Sequence, residues 1–147
     1  MEQPRKEQTS IYYWVKDLFL PTFINVVSEF PEGELTLPTI AVISLPTIAK
    51  PFQLGGSDLD KRRWAIYVFA QNSGQRDDFL YTIYSNLESG ICVYNYDEGF
   101  PPDVAPTQVG SLYVESRKSE PLRVYEELVK KKYWWGVVTF LTYFNPS

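Results

Sequence analysis

Apolar residues recur along this chain with two different periods, and the changes of period mark out its elements. Ile11, Trp14, Val15, Leu18 and Phe19 stand three and four apart with Lys16 and Asp17 on the other face, which predicts a first helix. Thr9 or Ser10 is placed to cap it. Residues 1–10 ahead of it read as a flexible polar segment, and residues 11–147 as one domain. Pro21 ends or kinks the helix, since it has no N–H to give, and residues 23–27 are expected to carry it for another turn or two. From residue 35 to 45 the composition turns β-rich, with Pro38 near the start, where a strand tolerates proline. Residues 46–61 form a long connection holding Pro46, Pro51, Gly55 and Gly56. Residues 63–70 are the clearest strand. Trp64, Ile66, Val68 and Ala70 take one face and Ala65, Tyr67 and Phe69 the other, so both faces should be covered.

Asn72 or Ser73 caps a second helix, whose apolar face is Phe79, Leu80, Ile83, Tyr84 and Leu87. Gly90 stands where a left-handed residue closes it. Three strands are predicted beyond it, at 91–96, 109–115 and 133–144, with a proline-rich loop at 97–106 and a short helix or reaching loop within 120–132. Helix, strand, long loop, strand, helix and three strands do not alternate strictly as β-α-β. The expected fold class is therefore α+β: one mainly antiparallel sheet, two helices packed on it, and a long hairpin arm.

Composition adds to this picture mainly by exclusion. With 147 residues, 44% hydrophobic and 22% charged, the chain is of globular type and long enough to hold a core without disulfide or metal staples. No stretch approaches the ~18 apolar residues of a membrane span, and residues 1–8 lack the apolar run of a signal peptide. A soluble protein made in the cytoplasm is expected. The net charge of −4 argues against wrapping nucleic acid, though not against lining a conduit through which it passes. The single cysteine, Cys92, falls in an apolar run and reads as a buried, inert thiol.

The chemistry of catalysis is thinly represented. There is no histidine, which removes Ser-His-Asp and Cys-His nucleophiles and His-containing zinc sites, and no phosphate-cradling glycine motif is present. Asp97, Glu98 and Asp103 offer oxygen ligands, but at the spacing of no calcium loop, so turn-forming acids in solvent explain them. Nothing fixes the separation of Glu126 from a second carboxylate, as glycoside hydrolysis requires. Lys130 to Lys132 read as a solvated rim. No enzyme and no cofactor are expected. Surface and shape remain: Phe52 and Leu54 in the first long loop, and Phe100 beside Pro101 and Pro102 in the second, suit anchoring on a neighbour or covering their own sheet.

In this layout the chain resembles the tail terminator (tail completion, neck) proteins of long-tailed bacteriophages. The resemblance rests on the order of elements across residues 11–144: an N-terminal helix, a hairpin of residues 35–45 and 63–70 joined by the 46–61 arm, and further strands. Its most telling stretch is the Trp64 strand running into Gln71-Asn72-Ser73-Gly74 and the helix after it. The proline-rich 97–106 loop and the 122–132 excursion depart from the family pattern. The resemblance implies a structural virion protein, a homo-hexameric ring that caps the tail tube and joins it to the head. Its partners would be the tail tube protein and a head–tail connector or stopper, with DNA passing through the lumen without stable binding. Subunit contacts would then fall at Lys50, Phe52, Leu54, Arg62, Arg63, Arg76 and Phe100. A second reading comes from the 16% aromatic content, with 11 Tyr and 4 Trp: a carbohydrate- or receptor-binding module of a tail tip or baseplate, whose rings stack on sugars.

Overall fold

A computed structural model of the protein describes residues 1–20, 22, 24–30, 36–46, 61–121 and 134–147. Its elements run α1 (Gln3–Leu18), β1 (Asn25–Val27), β2 (Thr39–Leu45), β3 (Lys61–Ala70), α2 (Ser73–Asn86), a single 3-10 turn (Leu87–Ser89), β4 (Ile91–Asn95), β5 (Thr107–Pro121) and β6 (Trp134–Pro146). The strands make one six-stranded sheet in the order β1-β2-β3-β6-β5-β4. All neighbours are antiparallel except β1 and β2, so the sheet is mixed. The fold is α+β, as the pattern of elements implies. The arm expected at 46–61 falls almost wholly outside the described residues.

The first helix begins well before the expected cap. Pro4 sits in its first turn, where the missing N–H costs nothing, and Gln3 to Ser10 are helical instead of forming a flexible tail. The reason is long-range. Glu7 is fully buried, and its carboxylate Oε2 lies 2.5 Å from an Arg62 guanidinium nitrogen on β3. A buried carboxylate needs such a partner, and a partner 55 residues along the chain is not visible in local periodicity. Ile11 and Val15, four apart and both fully buried, form the docked face as predicted. Residues 25–27 do not extend this helix. They form β1, parallel to β2 with Val26 opposite Ile40. The β-branched pair Val26 and Val27 fits a half-buried strand better than a helix end. Where β1 ends, the Gln8 side-chain amide donates to both Ser28 O and Val42 O at 3.1 Å, so α1 occupies acceptors the sheet would otherwise use there.

The second helix starts as expected: the Asn72 side chain accepts from the Gln75 amide at 2.8 Å. It ends through the 3-10 turn at Gly90, whose φ of 76° a side chain would rarely adopt. Leu80, Ile83 and Leu87 are its buried stripe.

Both helices cover one face of the sheet. There β3 contributes Trp64, Ile66, Val68 and Ala70, all fully buried, and they join Ile40 and Val42 of β2, Val138 and Phe140 of β6, and Ile91, Val93 and Leu112. Trp64 lies opposite Phe140, and its indole N–H donates to Thr142 Oγ1 at 3.0 Å inside this core. Gly136 of β6 lets α2 come down closely. A Cβ there would stand 2.6 Å from Leu80 Cδ1 and 2.9 Å from Glu120 O. Cys92 corrects an expectation: it is exposed. In β4 the side chains alternate, Ile91 and Val93 pointing into the core and Cys92 away from it, on an edge strand with little cover.

Candidate interaction surfaces

The face of the sheet opposite the two helices, helix-free among the described residues, is unusually rich in rings. Phe69 of β3 pairs directly with Trp135 of β6. The Trp135 ring lies 6.2 Å from that of Phe69 and 6.3 Å from that of Tyr67, nearly parallel to both. Phe30 stands edge-on to Tyr67 and Phe69 at 5.3 and 5.8 Å while remaining half exposed. Further along, Tyr113 of β5 pairs across the ladder with Tyr143 of β6, their rings stacked at 5.4 Å, and Tyr113 is 45% exposed. Offset and edge-to-face ring pairs of this kind are favourable beyond the area they bury. They also hold the rings in fixed positions, so a partner that covers them orders few side chains.

A second, unlike surface lies on the α1 side. Tyr13 stacks on Tyr96 at 5.6 Å, Tyr96 stacks on Phe100 at 5.7 Å, and Tyr12 meets Tyr13 edge-on. Tyr96 is almost fully buried, whereas Phe100 at the end of the stack is half exposed. Burial raises the Tyr13, Tyr94 and Tyr96 hydroxyl pKa values above the ordinary tyrosine value, so these rings stay neutral. Beside them, Asp97 accepts a hydrogen bond from the Met1 amine at 2.7 Å, and Lys6 is nearby. The bond, chiefly, keeps the Asp97 carboxyl below its usual range. That carboxylate is therefore in ion pairs, and among the described residues no group of three His, Cys, Asp or Glu side chains converges as a metal site.

A third feature is the edge of β5. That strand is 15 residues long, but β4 pairs with it only from Thr107 to Leu112. Among the described residues, 113–121 pair with β6 alone. Above this open stretch runs α2, and between the two lies a shallow groove of about 190 Å³ lined by Asp77, Leu80, Tyr81, Tyr84, Ser119 and Pro121. Arg117 is fixed beneath α2, its guanidinium 4.3 Å from the Tyr84 ring centre and donating to Tyr84 O at 2.6 Å. Tyr81 is 73% exposed at the rim. On the opposite side of the strand Lys118 and Glu120, both well exposed, form a salt bridge.

The residues expected at subunit contacts are dispersed over this framework. Lys50, Phe52 and Leu54 lie outside the described residues, as do Glu126 and Lys130 to Lys132. Arg62 points to α1 and is held by Glu7 inside the fold. Arg63 is exposed on the helix-free face, opposite Leu141 in the ladder. Arg76 lies over the Trp134 ring at 5.7 Å and bonds Asp77 Oδ1 at 2.9 Å. Phe100 ends the tyrosine stack. Sequence reasoning passed over Tyr81, Tyr113, Tyr143, Lys118 and Glu120. The signal for Tyr113 and Tyr143 was their alternation with Leu112, Val114 and Thr142, Phe144. The run Glu115-Ser-Arg-Lys-Ser-Glu120 has no apolar alternation, and only the ladder to β6 reveals it as strand.

Among the described residues no helix is long and apolar enough to cross a membrane. Compared with known proteins, the chain matches no family model and no curated sequence.

Proposed function

We propose that this protein is a structural subunit of a long-tailed phage virion, a tail terminator that closes into a six-fold ring on the tail tube and joins it to the head. The observation that carries the reading is the pair of unlike aromatic surfaces, one on the helix-free face and one ending at Phe100 on the α1 side. A ring grows by a heterologous contact in which one patch meets a different patch on the next copy. Exposed, mutually braced rings are the residues that carry energy in such contacts. The order of elements supports the family resemblance, and the net charge of −4 suits a lumen that DNA crosses without adhering. Partners would be the tail tube protein and the connector or stopper on the head side.

Light scattering across a wide concentration range, with electron microscopy of the larger species, tests this. Six-copy rings that Phe100→Ala or Tyr113→Ala disperses, with the far-ultraviolet circular dichroism unchanged, are the expected result. A trimer would point instead to a tail-tip component. A stable monomer that binds a defined sugar on a glycan array, through the exposed Tyr113 and its stacked partner Tyr143, would replace the ring with a carbohydrate-binding module.

A further inference from the structure

We infer that the edge of β5, unpaired at 113–121 among the described residues, is a two-fold contact, in which a second copy of this chain adds its own β5 antiparallel to the first with Ser119 on the axis. An unpaired strand edge is a template for another strand, and the charges of this edge select both the occupant and the register. Ser119 and Pro121 line the groove under α2, so Lys118 and Glu120 project to the other face. With Ser119 opposite Ser119, Lys118 of each copy lies opposite Glu120 of the other, and opposite charges directly across a ladder attract. Moving the axis to Lys118 sets lysine against lysine. Moving it to Glu120 sets glutamate against glutamate, and moving it to Arg117 sets arginine against arginine. Only the Ser119 register within this stretch avoids like charges on the axis while pairing Lys118 with Glu120. It also keeps both copies of α2 on one side of a continuous sheet, bringing the exposed Tyr81 and the groove of each copy to the axis.

This contact goes beyond the ring reading. A two-fold contact uses one patch twice and closes at two copies, whereas a ring needs two different patches, so either holds without the other.

The test is charge complementation between chains. Lys118→Glu leaves two acids per copy at these positions and Glu120→Lys leaves two bases, and neither variant retains the internal Lys118–Glu120 pair. Each alone should dimerise roughly tenfold or more weakly than the wild type, because two attractive cross-strand pairs become repulsive. An equimolar mixture should recover wild-type association as a mixed dimer, read by light scattering and native mass spectrometry. Both side chains are exposed, and circular dichroism checks that each variant is folded. A second measurement uses geometry. In a Cys92→Ser background, Ser119→Cys should give a covalent dimer under oxidised glutathione, since axial partners stand ~4.5–5.5 Å apart. Ser116→Cys, whose copies would lie far apart, should not. Single variants that keep the wild-type mass, a mixture no larger than its components, or the absence of a Ser119 cross-link would each overturn the proposal. A six-copy ring that survives Lys118→Glu and does not cross-link at position 119 would do so while leaving the ring reading in place.

Discussion

Thr142→Val is a sharp test of how this core is held, because it changes the polarity of one buried atom and almost nothing of the shape. Thr142 and Trp64 are both fully buried. The Thr142 hydroxyl accepts from the Trp64 indole at 3.0 Å and donates onward to Arg62 O at 3.3 Å. Valine fills the same volume but leaves the indole N–H in the interior without an acceptor, which costs about 1–3 kcal/mol. The longer bond to Arg62 adds a contribution near the bottom of the ~0.5–1.5 kcal/mol range. In a Trp64→Phe background the donor is already gone, so the same Thr142→Val change should cost only that second part. The coupling between the two positions is thus on the order of 1 kcal/mol or more. Urea denaturation followed by far-ultraviolet circular dichroism reads it without depending on the removed indole. With m of roughly 1–3 kcal/mol/M, the single variant should lower the midpoint by about 0.5–3.5 M. A Thr142→Val cost below ~0.5 kcal/mol, or an equal cost in both backgrounds, would show that the indole has another acceptor and would refute the reasoning.

The Cys92 thiol should react fully with a disulfide reagent in the native protein, with no denaturant, and Cys92→Ser should leave stability within ~0.5 kcal/mol of wild type. A thiol that reacts only on unfolding would contradict its exposure. At high pH three tyrosines, one buried and two partly buried, set a limit. The folded state holds the Tyr13, Tyr94 and Tyr96 protons to higher pH than the unfolded chain does, so their contribution is complete below the unfolded pKa of about 10 and is lost as pH rises through the folded values. Ultraviolet titration should show these tyrosines ionising after the rest, and Tyr96→Phe should make the alkaline loss of stability shallower. Titration in a single step at the ordinary value would count against their burial.

Elements set by local rules were legible in the chain. The alternation through Trp64, Ile66, Val68 and Ala70 announced β3, and Asn72 and Gly90 bracketed α2 by side-chain capping and by backbone handedness. What escaped depends on distant partners. Gln3 to Ser10 read as a polar tail because the residue that neutralises Glu7 is on β3. Residues 25–27 were assigned to a helix because three apolar or polar residues carry no period, and only β2 beside them settles their form. The surface was less legible than the core. Tyr113 and Tyr143 meet only because β5 and β6 are neighbours in one register, and the edge left open at 113–121 among the described residues follows from where β4 stops. Arg62 and Arg76 drew attention as charges at seams, but each is engaged within its own copy: Arg62 with Glu7, Arg76 with Asp77 and Trp134.

The place of β6 between β3 and β5 carries a consequence for how the molecule comes into being. During synthesis β3, α2, β4 and β5 all emerge before the strand that joins them, so the two halves of the sheet wait with their inner edges bare. Until residues 134–146 arrive, Trp64 has neither Phe140 across from it nor Thr142 to bond. The nascent chain therefore completes its sheet only once residues 134–146 have been made, in a single joining step. Loop closures this long make folding slow. A ribosome-stalled chain ending before residue 134 should remain protease-sensitive along its whole length, a vulnerability that a sheet built in sequence order would not have.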